Sequence, residues 1–471
     1  MSMKKDDCTF CANGGGLPLR GDGFSRRNFI QLAGTGLVAS FFAPVFSSSL
    51  LYGQTVAPNV SLKKTAKNCI FIFLSGAPSH VDTWDLKEGV WTPADFAPTS
   101  YLNGAVRFPQ GLMPKTAEHI SKLSFVRSGL AWAAVHALAQ TWTQISRSPT
   151  GATGAIAPHI GSVVSLESQL TRTPTDVLPA FIALNSSGIP SSGYFPAKYS
   201  PFIVQAASTG LSTLKHPEGA TRFSTRWNFL HTLDTNRTTG ALAKKSTDMD
   251  DLYNQGKALM DDPSVDTLFS FGDADHVRYG SSTFGDGLLV AKQLVAGRKG
   301  SRFIQVTYGG WDHHSDIYNK AADQSLYGQC SDFDPAFGAL MTDLSTTAGS
   351  TPGKTLLDET LVVVIGEFGR TTGPITSQGG RDHFLRFASV MAGGGVQGGR
   401  VIGKTNATGD QIQEYGWAPN RDIRPEDITS TIYSALGIDY TTMRTDDPLN
   451  RGFEYVPGAK VGQYQPIEEL F

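Results

Sequence analysis

The chain has 471 residues, 40% of them hydrophobic and 10% aromatic, and a formal charge of −2. That length supports a large buried core, in one big α/β domain or two smaller ones. No basic excess points to nucleic acid, and no block of like charge marks a solvated tail.

The first segment in chain order is a leader rather than part of the fold. Ser25-Arg26-Arg27-Asn28-Phe29-Ile30 is a twin-arginine pattern, followed by an apolar stretch over residues 31–46 and the small residues Ser47-Ser48-Ser49. This reads as a Tat export signal, so residues 1–57 are set aside as signal and lead-in. It makes the Tat translocase a partner and a periplasmic or extracellular location the expectation. Cleavage leaves a net charge of roughly −4. No other segment is apolar for long enough to span a bilayer, so membrane attachment comes only through an uncut leader. Cys8 and Cys11 form a CxxC ahead of the signal, Cys69 falls in a strand-like run and Cys330 in a polar one. No disulfide framework is expected from that usage.

Residues 68–74 form an apolar strand, and the Pro- and Gly-rich sequence to about residue 114 looks irregular. A short helix over 115–122 leads into a strand at 123–126. Residues 131–145 and 158–169 read as helices, and 178–184 as a strand followed by a Ser/Gly-rich loop. Helical spacing returns at 226–233, 249–260 and 284–295, the last feeding a strand at 302–307. A helix at 334–348 feeds the β-branched run 361–365 in the same way. A short strand at 388–391 follows, then a helix over 425–436 stopped by Gly437. Alternating helices and buried strands predict a mainly parallel sheet with helices on both faces. One domain over about 65–455, with 456–471 as a C-terminal tail, is the simplest organisation.

Three of these strands end alike. Residues 68–74 run into Ser75-Gly76-Ala77-Pro78-Ser79-His80-Val81-Asp82-Thr83, and 302–307 into Tyr308-Gly309-Gly310-Trp311-Asp312-His313-His314. Residues 361–365 run into Gly366-Glu367-Phe368-Gly369-Arg370, and a loop then brings Gly380-Arg381-Asp382-His383. In open α/β sheets ligands bind outside the carboxyl ends of the strands, so the three clusters predict one shared site. Asp312, His313, His314, Glu367, Asp382 and His383 are hard-oxygen and imidazole donors, suited to Zn²⁺, Mn²⁺, Mg²⁺ or Ca²⁺. Arg370 or Arg127 is a candidate clamp for an anionic ester. Ser79 or Thr83 is a candidate nucleophile, activated by metal or by His80. Against these stand plainer roles. Ser79-x-x-Asp82 is also a capping arrangement, Arg370 also an ion-pair partner for Glu367 or Asp382. His136 on its helix is more readily a packing histidine than a site residue, and Trp311 is as readily core as a substrate platform. Adjacent His313 and His314 are expected to point in opposite directions.

The stretches LSGAPSHVDTWDLK, LPAFIALN, YGSSTFGDGLLVAKQLVAG, YGGWDHH, TLVVVIGEFGRT, GRDHF, AGGGVQGGRVIGKT and RPEDITSTIYSALGI resemble a Tat-exported family of unknown function classed with alkaline phosphatases and sulfatases. The resemblance covers about residues 65–450 and implies an alkaline-phosphatase-like α/β/α sandwich. In that superfamily metals are held by an Asp after the first strand, an Asp with a following His, an Asp-His pair and a last His. Asp312 with His314 resembles the second element, and His383, beside Asp382, the last. Glu367 stands where the Asp-His pair begins, with Phe368 in place of its His. Ser75-Gly76 stands where the first Asp is expected, with Asp82 as its substitute farther on. The resemblance implies a metal-dependent hydrolase of phosphate or sulfate esters with a modified metal site. The alternative is a non-catalytic exported binding or surface protein with a degenerate site.

Overall fold

The computed structural model describes residues 60–212, 214–233 and 243–471. The expected export signal and the Cys8/Cys11 pair lie outside the described residues. Among the described helices none is long and apolar enough to cross a membrane.

Eight strands form the main sheet: β1 (Asn68–Leu74), β2 (Leu123–Leu130), β3 (Phe181–Leu184), β4 (Phe202–Val204), β5 (Phe303–Tyr308), β6 (Thr360–Ile365), β7 (Arg386–Ala392) and β8 (Val401–Ile402). They lie in the order β8-β2-β7-β6-β1-β5-β3-β4. All neighbouring pairs are parallel except the two made by β7, which runs antiparallel to both β2 and β6. The strand alternation sorts side chains into two cores. Ile70, Ile72 and Leu74 of β1 join Val362 and Val364 of β6 on one face, while Cys69, Phe71 and Phe73 join Leu361, Val363 and Ile365 on the other. Each fully buried side chain of this kind contributes about 1.5–3 kcal/mol. A polar substitution in β1 therefore damages whichever core it faces.

The described helices of nine residues or more are α1 (His136–Ile145), α2 (Ile160–Ser168), α3 (Gly219–Leu233), which has no buried residue, α4 (Ala243–Asp261), α5 (Thr283–Gly297), α6 (Leu326–Thr346) and α7 (Pro425–Leu436). Apolar residues of α5 and α6 fill the first core, and those of α1, α2 and α7 the second. Helix α6 starts earlier than its spacing predicts, capped by the Ser325 hydroxyl, and runs through Pro335. Helix α1 starts later than predicted, at His136. Residues 131–135 stay out of it because Ala131 N–H donates to Leu385 O and the Ala134 carbonyl accepts from His383. Tertiary hydrogen bonds outweigh a helical propensity of a few tenths of a kcal/mol per residue.

Two further differences concern the stretch read as irregular and the segment read as a C-terminal tail. Pro98–Tyr101 and Val106–Pro109 pair as an antiparallel hairpin within the stretch expected to be irregular. Its signal was the short alternation of Val106 and Phe108, both buried, around Arg107. Residues 456–471, set apart as a tail, are packed: Tyr464, Ile467 and Leu470 are buried in the second core.

Candidate metal centre

Register explains why distant residues meet. Phe73 of β1 pairs with Ile365 of β6, and Leu74 with Tyr308 of β5, so three strands end side by side at one sheet edge. Strand β2 runs parallel to them and ends at the same edge, delivering the segment that leads to His136. Antiparallel β7 begins there, just after His383. A small ladder beyond the edge pairs His383 with Arg370. Two glycines let these segments touch. A Cβ on Gly76, whose φ is +109°, would stand 2.8 Å from the backbone N of Asp312, and one on Gly380 would stand 2.0 Å from the carbonyl carbon of His314.

One nitrogen each of His136, His314 and His383 and one oxygen of Asp312 lie within 4.8 Å of one another. Asp312 Oδ1 is 3.0 Å from His314 Nε2, 3.2 Å from His136 Nε2 and 3.7 Å from His383 Nε2. His314 Nε2 and His383 Nε2 are 3.0 Å apart. Donors about 2.0–2.1 Å from a shared Zn²⁺ stand roughly 3.3 Å apart in a tetrahedron, close to these four separations of 3.0–3.7 Å. His136 Nε2 is buried and makes no hydrogen bond among the described residues, its approach to Asp312 being off line for one.

The opposite nitrogen of each ring is spoken for. His136 Nδ1 donates to Glu367 Oε1 at 2.7 Å, His383 Nδ1 to the Ala134 carbonyl at 2.7 Å, and His314 Nδ1 to Asp382 Oδ1 at 3.1 Å. Such partners fix the tautomer, leaving the neutral ring's Nε2 as a lone pair. The three lone pairs and the carboxylate face one another. Glu367 is itself held by the Gly76 N–H at 3.0 Å and by Gln140 Nε2 at 3.0 Å. The hydrogen bond to Glu367 raises the His136 pKa, whereas burial lowers that of His383. Partial burial pushes Asp312 upward, but the bonded Arg370 guanidinium and the nearby imidazoles bring it below its ordinary value.

Arg370 is fully buried against this cluster. Its Nε donates to Ala77 O at 2.9 Å, Nη1 to Arg381 O at 3.1 Å and Nη2 to Gly76 O at 2.5 Å. The other N–H of Nη1 faces His314 Nε2 at 3.3 Å, and Nη2 also bonds Asp312 Oδ1. All five donors of the guanidinium thus have acceptors, three of them backbone carbonyls.

Of the residues expected to bind metal, Asp312, His314 and His383 converge. Glu367 and Asp382 stand one shell back, each behind an imidazole. Asp82 is taken up elsewhere, because Arg381 Nε and Nη2 bond it at 2.7 and 3.1 Å and Tyr318 donates to it at 2.8 Å. Ser79 and Thr83 are buried, their hydroxyls donating to Asp82 at 2.6 Å and to the Ser79 carbonyl at 2.7 Å, so neither is a free nucleophile. His80 and His313 are buried and pushed down to about 4 by burial, hence neutral. His313 points away from the cluster beside Trp311, which is itself core packing against Tyr308 and Phe333. Arg127 bonds the Trp84 and Ala105 carbonyls and pairs with Asp85. His136, expected to be a packing histidine, is the fourth member of the cluster. Its place as the first residue of α1 is set by tertiary hydrogen bonds, so the sequence carried no signal for it. Gln140, one turn on, carried none.

The chain belongs to the family described as protein of unknown function (DUF1501), which matches residues 66–461. No curated protein matches it. Among solved structures it is similar to Ps i-CgsB, crystallised in complex with k-i-k-neocarrahexaose, at 10% identity and a TM-score of 0.40, over 85% of this chain and 77% of that one. It is also similar to the phosphonate monoester hydrolase SpPMH from Silicibacter pomeroyi, at 11% identity and a TM-score of 0.34, over 79% and 74%.

Proposed function

We propose that this member of the family is an exported, metal-dependent hydrolase of phosphate or sulfate esters on an alkaline-phosphatase-like α/β/α sandwich. His136, His314, His383 and Asp312 would hold one divalent cation, Zn²⁺ or Mn²⁺ by the preference of a three-imidazole, one-carboxylate set. One observation carries the reading. The Nε2 atoms of His314 and His383 face each other at 3.0 Å, while their Nδ1 protons are given to other acceptors. Two lone pairs so placed repel unless a proton or a cation lies between them.

A cation held there supplies Lewis-acid polarisation of an ester oxygen. The chain's own residues do the rest. Glu367, Asp382 and the Ala134 carbonyl orient the imidazoles. Three N–H groups of Arg370 anchor it to the strand-end loops, and the other two face the cluster. When His314 Nε2 ceases to be an acceptor, the Arg370 N–H opposite it turns to an oxygen of the anionic substrate. With the Ser79 and Thr83 hydroxyls committed inside the protein, attack falls to water rather than to a side chain. Export through the Tat translocase sets this activity in the periplasm or outside the cell, with membrane attachment only through an uncut leader.

A second reading, a non-catalytic binding protein that keeps the ion, is favoured by Gly76. It occupies the strand end where the superfamily's Asp is expected, and no side chain fits there. Metal content of the purified mature protein, then turnover of aryl phosphates and sulfates, separates the two. About one equivalent of metal per chain, lost in His383→Ala, with turnover retained in Ser79→Ala, is the outcome expected of the hydrolase. Bound metal with no turnover in either series selects the binding role. A wild-type protein that takes up no divalent metal sinks both.

A further inference from the structure

A cavity of about 590 Å³ opens between the loop after β1, the 98–109 hairpin and the β8 segment. Its lining includes four cations, Lys87, Arg107, Arg127 and Lys404, and two carboxylates, Asp85 and Glu414. Asp85 is buried and serves two cations at once: Lys87 Nζ at 3.0 Å and Arg127 Nε at 3.3 Å. Its other oxygen accepts from the Thr405 hydroxyl at 2.5 Å. Arg107 is neutralised from outside the cavity by Glu88, and Lys404 is 3.8 Å from Glu414. The four cations therefore meet three carboxylates, and one positive charge is left over.

That surplus sits on Arg127. It is 8% exposed, and its hydrogen bonds are Nε to the Trp84 carbonyl and Nη1 to the Ala105 carbonyl. Its Nη2 makes no bond to the described residues, although the side chain lines the cavity. The guanidinium thus reaches the cavity with unused donors and a counter-ion it shares with Lys87, which leaves it able to pair with an anion there. Burial lowers its pKa, and Asp85 offsets that only in part.

We propose that this cavity is a second ligand site, which takes a small molecule bearing an oxyanion group (phosphate, sulfate or carboxylate) on the free edge of Arg127. Lys87 and Lys404 complete the anion's surroundings. The volume falls within the range of small-molecule pockets, enough for a ligand larger than a bare inorganic ion. The planar fork of arginine suits such a group better than a lysine point charge. The site draws on none of the metal-centre residues, so it stands whether or not the metal reading does.

The test is thermal unfolding of the full mature protein titrated with inorganic phosphate, sulfate and a hexose phosphate, since a ligand of the folded state raises the Tm. The wild type should be stabilised, most by the hexose phosphate. Lys404→Gln, at an exposed position, and Lys87→Gln should each weaken the apparent Kd roughly tenfold. Arg127→Lys, which keeps the charge and loses the fork, should weaken it more than either. His383→Ala should leave it unchanged. No stabilisation by any of the three probes overturns the proposal. So does an equal response in the lysine variants, or a response abolished by His383→Ala, which would put the anion at the metal centre instead.

Discussion

Glu367 Oε1 accepts the Nδ1 proton of His136 at 2.7 Å, and the Glu367 side chain has no exposed surface at all. A buried carboxylate behind an imidazole does two things: it holds the ring's tautomer, and it makes the opposite nitrogen a better donor to a cation. Asp382 stands in the same relation to His314 at 3.1 Å but is 67% exposed. Solvent and salt screen that second contact.

The pair therefore makes unequal predictions. Glu367→Gln should lower metal affinity about 10- to 100-fold, the range usual for an outer-shell partner. Asp382→Ala should cost less than Glu367→Gln. Competition against a chelator of known affinity measures both, and equal losses would contradict the ranking.

Metal affinity should fall on acidification from a higher pH than an ordinary histidine dictates. The ion displaces a proton wherever an imidazole is charged. Glu367 raises His136 above its ordinary 6.5, so protons compete as pH falls through that raised value. Burial lowers His383, so protons compete less at that ring. In Glu367→Gln the onset should move to lower pH, read from affinity measured between about pH 5 and 8.

Asp82→Asn should destabilise the protein by about 3–5 kcal/mol, because it leaves buried Arg381 without its counter-ion. Both side chains of this pair are essentially inaccessible to water. Arg381 anchors the turn that carries Asp382 and His383, so metal affinity should drop along with the Tm. A variant with native stability and native affinity would deny the pair its anchoring role.

His159 predicts acid sensitivity away from the metal centre. It is buried against Phe181, caps α2 by accepting the Gly161 N–H at 2.9 Å, and is pushed down to about 3 by burial. Between its ordinary value of 6.5 and about 3 the unfolded chain binds this proton and the native protein does not. The stability is whole above that window and is lost as pH falls through it, by about 1.4 kcal/mol per pH unit from this group. His159→Asn keeps a capping acceptor and removes the titration. It should be less stable at pH 7 but lose stability less steeply below pH 6.5 in denaturant melts.

The chain's local chemistry was enough to place strands at 68–74, 302–307 and 361–365, within a residue of the observed ones, and the glycine turns after them, because β-branched runs and glycine stops are short-range signals. It was enough, too, to nominate Asp312, His314 and His383, since residues that follow neighbouring strands must emerge at one sheet edge. It did not separate ligand from orienter. Glu367 and Asp382 are chemically as fit to hold a cation as Asp312, and only the bonds from His136 and His314 put them one shell back. Nor did it recover His136, whose helix begins where it does because Ala131 and Ala134 are tied to Leu385 and His383. Ser79 and Asp82 reversed for the same reason, an arginine almost three hundred residues away. Composition along the chain determines which groups arrive at the edge. Which way each one points is settled by hydrogen bonds between segments far apart in sequence, and these exist only once the sheet has formed.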